Sequence, residues 1–111
     1  MNIYEFGSLV DNTHFGWAYL LKIERETAKT KYGSRARIDP DNGKEEWISG
    51  TKFSIKKNED IDQVTYHPQY KSDGFYLVRV QAVSFEEAKI KAKNLLSSHF
   101  EQLAKKIAES E

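Results

Sequence analysis

Cysteine is absent from the chain, and that one absence removes disulfide scaffolds, cysteine zinc sites, iron–sulfur clusters and thiol nucleophiles. No apolar run approaches the roughly 18 residues of a membrane span. The first residues, "MNIYEFGSLVDN", carry an acid where a secretory signal would carry its basic region. These absences lead to the expectation of a cytoplasmic chain with no membrane partner. Net charge is missing too: 17 cations balance 17 anions, so the basic footprint behind sequence-independent DNA affinity is lacking. There is no internal repeat, low-complexity tract or linker. Nucleophile-elbow, Walker, dinucleotide-binding and zinc-deaminase signatures are all absent.

What is present reads as one domain spanning 1–111, in which aromatics supply 13% of the residues and hence large buried area per side chain. "WAYLLKIE" (17–24) alternates, with Trp17, Tyr19, Leu21 and Ile23 on one side and Leu20 on the other, the period of a half-buried strand. "SRARI" and "KEEWI" flank Asp39-Pro40-Asp41-Asn42-Gly43, whose proline and Asn-Gly residues reverse the chain into a hairpin. Gly50 in the second arm marks a bulge or a close backbone approach. "QVTYHPQY" (63–70) is a weak strand that Pro68 either confines to an edge or ends. After a Ser72-Asp73-Gly74 turn, "FYLVRVQAV" (75–83) is apolar on both parities, which places it inside the sheet.

Ser84 to Glu87 form a capping box. Behind it Phe85, Ala88, Ala92, Leu95, Leu96, Leu103 and Ile107 keep one helical stripe. The spacing predicts one helix over 84–109, continuous through Ser97-Ser98. The fold class is therefore α+β: an antiparallel sheet of four to five strands drawn from residues 16–83, preceded by an N-terminal segment (1–15), with one long C-terminal helix on one face.

Chemistry-bearing residues are sparse. His14, His67 and His99 show no metal-ligand spacing, and the sequence indicates no metal and no cofactor. Glu86 and Glu87 favour the helix dipole, and Glu59-Asp60-Asp62 reads as a solvated loop. "KTKYGSRAR" (29–37) concentrates Lys29, Lys31, Arg35 and Arg37 around Tyr32 and Gly33. Those cations could grip phosphate, with Tyr32 stacking on a base and Gly33 admitting a ligand backbone. The favoured reading pairs Arg35 and Arg37 across the hairpin with Glu45 or Glu46.

One helix covers only one sheet face, and Leu20, Phe75, Leu77 and Ile90 are surplus apolar groups. Either the N-terminal segment folds over the second face or a partner, such as a second copy in a homodimer, covers it. The first functional reading is a small non-enzymatic inhibitor, immunity-type or adaptor protein, acting by protein contact through Leu20, Tyr32, Arg35, Arg37 and Trp47. The alternative is nucleotide or nucleic-acid binding through Lys29, Lys31, Arg35 and Arg37. A small enzyme using His14 or His67 is third.

Overall fold

The computed structural model describes residues 1–9, 14–59, 61–69 and 72–110. Its elements are β1 (Asn2–Leu9), β2 (Trp17–Glu26), β3 (Thr30–Ile38), β4 (Glu45–Lys56), β5 (Gln63–Gln69), β6 (Ser72–Ala82) and α1 (Phe85–Ser110). The strands form one sheet in the order β4-β3-β2-β1-β6-β5, and every neighbouring pair is antiparallel. The α+β class is as expected, but the sheet has six strands rather than four or five. The added strand is β1. The N-terminal segment does not fold over the second face; it lies inside the sheet between β2 and β6. Its residues 3–8 are all buried, because Ile3 is apolar toward one face while Tyr4 and Phe6 are apolar toward the other.

The turn chemistry works as anticipated. Asp39 Oδ1 accepts the Asp41 amide at 2.8 Å, the Gly43 amide bonds Asp39 O at 2.8 Å, and Gly43 takes φ 76°. The β3–β4 register slips between Ser34 and Ala36, opposite the stretch of β4 that contains Gly50. β5 is an edge strand whose register shifts at Pro68; Tyr70 lies outside the described residues. Ser84 Oγ accepts the Glu87 amide at 3.3 Å, and the Glu87 carboxylate reaches back to the Val83 amide at 3.4 Å. The helix then runs unbroken through Ser97-Ser98.

α1 packs on β6, β1 and β5. Between them lies the larger core, which includes Tyr4, Phe6, Phe15, Ala18, Ile38, Val78, Val80, Ala88, Ala92 and Leu96. Lys89 ties the β3–β4 hairpin tip to the helix by bonding Asp41 O at 3.2 Å. From Glu101 to Glu109 the helix is exposed, with Leu103 36% and Ile107 63% accessible.

A smaller core, Ile3, Leu21, Phe53 and Ile55, lies on the opposite face, with Tyr19 and Ile61 packed against it. The β4–β5 connection, which sequence reasoning treated as solvated loop, contributes Ile61 to it. That connection has to join the two edges of the sheet. Edge residues Phe53 and Ile55 join Ile3, three strands away, in this core. Gly33 lets β2 and β3 come close: a Cβ there would collide with the Lys22 carbonyl of the neighbouring strand, beside the register shift between Ile23 and Arg25. The close approach anticipated at Gly33 is thus internal to the sheet.

Candidate functional site

Among the described residues no helix covers the second face, and a single register row crosses all six strands there: Trp47, Arg37, Tyr19, Glu5, Arg79, Gln63. Strand alternation puts these side chains on the face opposite α1. The row interleaves rings and charges, and its centre is Glu5, 1% exposed.

A buried carboxylate is costly unless paired and hydrogen-bonded. Glu5 is both. Arg35 donates Nε to Oε1 at 2.8 Å and Nη2 to Oε2 at 3.4 Å. Arg79 donates Nε to Oε2 at 3.0 Å and Nη2 to the same oxygen at 2.5 Å. Burial pushes the Glu5 carboxyl up, but hydrogen bonds and charge from the two guanidiniums outweigh it and hold it below the usual carboxylate range. Arg35 also donates Nη1 to Lys52 O at 2.8 Å, which ties β4 to the triad. Arg35 thus has its carboxylate partner in β1, and Glu45, expected opposite the hairpin arginines, pairs with Lys22 at 2.5 Å.

Arg37 is held differently. Its guanidinium lies over the Tyr19 ring at 5.6 Å and the Trp47 ring at 6.0 Å, and Nη1 is 3.5 Å from the Tyr19 hydroxyl. Its Nε is buried without a hydrogen-bond partner among the described residues. Trp47 beside it is 58% exposed. One row further, Trp17 lies across Gly7, where any Cβ would overlap the indole. Trp17 meets Phe75 edge-on at 5.4 Å, and His67 stacks on Phe75 at 5.0 Å.

The structure brings Arg35, Arg37 and Trp47 to this one face and places Leu20 and Tyr32 on the other. Leu20 packs against the helix-side core, because β2 turns Ala18 and Leu20 toward the helix and the bulkier Trp17, Tyr19 and Leu21 away from it. Tyr32 has the Arg25 guanidinium over its ring at 4.4 Å. Lys29 lies elsewhere again, with Thr30, Lys56 and Lys57, around an open hollow of about 540 Å³ at the far end of the β2–β3 hairpin. Lys31 pairs with Glu26 at 4.0 Å, which Lys57 also approaches at 3.5 Å. The cations of 29–37 therefore do not converge.

Nor do the histidines. His67 is on β5, with Thr65 Oγ1 3.1 Å from its Nε2. His99 packs edge-on against Tyr76 at 5.3 Å. His14 lines a groove with Lys93, Leu96, Ser97 and Phe100, and its sequence neighbours Asp11 and Thr13 lie outside the described residues, as does Asp60. Asp62 accepts the Gln81 amide at 3.0 Å and pairs with Lys91 at 3.0 Å. Among the described residues no three His, Asp or Glu side chains gather as metal ligands, and no helix is long and apolar enough to cross a membrane.

Sequence reasoning missed Glu5, Arg79 and Tyr19. A usable signal existed for the first two: each is the lone charge in an otherwise apolar or small-residue strand, "NIYEFGSL" and "FYLVRVQAV", and such charges require each other. No known family model, curated protein or solved structure matches the chain.

Proposed function

We propose that the chain is a small non-enzymatic cytoplasmic binding domain, of the inhibitor, immunity-type or adaptor kind, and that it engages a protein through the Trp47–Arg37–Tyr19 end of this row. The observation that carries this reading is Trp47, largely exposed and set beside Arg37 and Tyr19. Trp, Tyr and Arg dominate the energetics of protein interfaces. Nucleic acid fits the same face less well. Base stacking needs free ring faces, but Arg37 lies over Tyr19, His67 covers Phe75, and a carboxylate sits mid-row.

Capture of the partner with the folded chain tests the proposal. Trp47→Ala should weaken binding about thirtyfold or more, the loss expected of a hot-spot tryptophan. Lys105→Gln on the exposed end of the helix should leave binding unchanged. Undiminished capture by a folded Trp47→Ala, Arg37→Gln variant would sink the assignment of this face.

Two further readings have an observation each. The lysine hollow formed by Lys29, Lys56 and Lys57 favours a phosphorylated ligand. Exposed Leu103 and Ile107, neighbours on α1, favour pairing with a second copy.

A further inference from the structure

We infer that the partner presents an acidic segment to this face and that Arg37 is the group that receives its carboxylate. The inference rests on the reading of the face as a protein-docking surface. Among the described residues the guanidiniums of Arg35 and Arg79 share the Glu5 carboxylate, whereas that of Arg37 meets no acid. Both Glu5 oxygens are occupied by Arg35 and Arg79, and the residue is 1% exposed. An incoming cation would find no acceptor there.

Arg37 differs from the other two arginines. It lies over rings instead of against an acid, and its Nε is out of water with no hydrogen-bond partner among the described residues. With Nε enclosed, it is the outer Nη end of this guanidinium that can donate to an incoming carboxylate. Arg79 spends Nε and Nη2 on Glu5 and keeps Nη1 outside that pair. Arg37 and Arg79 stand three strands apart, about 14 Å at ordinary strand spacing. Four residues of extended chain cover the same length, so acids four positions apart on an extended segment meet both.

The test uses the full chain labelled with nitrogen-15 and reads the arginine Nε–Hε signals. The probe is a capped seven-residue Gly/Ser peptide with two aspartates four positions apart; its control carries two asparagines. The Arg37 and Arg79 signals should move together and saturate with the aspartate peptide only, and less so as salt rises. Arg37→Gln should weaken binding about tenfold or more, as for loss of a charged hydrogen bond. Arg37→Lys, which keeps the charge but not the fork, should fall between.

Any of four results would overturn the inference: immobile Arg37 signals at millimolar probe, undiminished binding by folded Arg37→Gln, shifts confined to Lys29, Lys56 and Lys57, or tighter binding of oligothymidine. Signals that move with protein concentration alone would replace the acidic segment by a second copy. If Trp47→Ala abolishes partner capture while the aspartate peptide fails to bind, the docking surface stands and the acidic partner falls. If Trp47→Ala leaves capture intact, the docking surface itself falls.

Discussion

Replacing Glu5 by Gln should be among the most destabilising single changes at a polar position in this protein. The substitution preserves shape, so no cavity opens. It turns one acceptor oxygen into a donor amide facing a guanidinium and removes the only charge that both arginines share. Glu5 is 1% exposed, while the side chains of Arg35 and Arg79 are 18% and 20% accessible. Breaking a fully buried pair costs about 3–5 kcal/mol; water at the arginines pulls the expectation to the lower end, about 3 kcal/mol. With a urea m-value of about 1.5 kcal/mol/M, that moves the midpoint down by about 2 M at unchanged m. The melting temperature should fall by roughly 10–15 °C.

The pH dependence follows from the direction of the Glu5 shift. Hydrogen bonds and charge from Arg35 and Arg79 lower its folded-state pKa despite burial. Its stabilisation is therefore complete above the unfolded-state value of about 4.3 and is lost as pH falls through the lower folded-state value. The gap between wild type and Glu5→Gln should be constant around neutral pH and narrow below about pH 4. In the Glu5→Gln background, adding Arg79→Gln should cost almost nothing, since the pair is already broken. A Glu5→Gln cost under about 1 kcal/mol, the size of an exposed pair, would refute the account of the triad as a buried, mutually dependent unit.

Three further outcomes are expected. Gly33→Ala should cost about 2–3 kcal/mol by urea titration, because its methyl group meets the Lys22 backbone rather than a movable side chain; a neutral result would mean that the β2–β3 bend is not fixed there. The triple change of His14, His67 and His99 to Gln should leave the chain folded and partner binding intact, with some stability lost at His99, whose ring packs on Tyr76; stoichiometric zinc or nickel in the wild type, lost in the variant, would contradict this. Light scattering at micromolar concentration should give about twice the mass of one chain if α1 pairs through Leu103 and Ile107, and a clean monomer would reserve those residues for a different partner.

Much of the architecture was legible in local chemistry. The Asp39–Gly43 reversal, the Ser84 cap and the edge position imposed by Pro68 each depend on a few neighbouring residues, and each appears in the structure. What failed to show was non-local. β1 carries Gly7 and Ser8 and lacks clean alternation because both its faces are buried, and its status as a strand depends on β6, some seventy residues later. Leu20 was counted as surplus apolar surface because it points away from Trp17, Tyr19 and Leu21, but the helix packs over Ala18 and Leu20, and Tyr19 and Leu21 lie on the opposite face. Arg35 was given a partner from its own hairpin, although its carboxylate comes from β1 across an intervening strand. Arg37, expected to pair with Glu45 or Glu46, lies instead beside Trp47 on the adjacent arm of its hairpin.

The position of β1 also governs the order in which the molecule can be assembled. It pairs on one side with β2, close in sequence, and on the other with β6, in a register that joins Asn2 to Ala82 and Leu9 to Phe75. A ribosome delivers the β1–β4 meander long before β6 exists. Until β6 arrives, one full edge of β1 presents unpaired amides and carbonyls flanked by Ile3, Tyr4 and Phe6, an open template for another chain. Closing that edge requires a loop of some seventy residues, a non-local step of the kind that slows folding. Fragments that stop short of β6 are therefore the aggregation-prone form of this chain, and the docking of β6 together with its helix is the event that ends the risk.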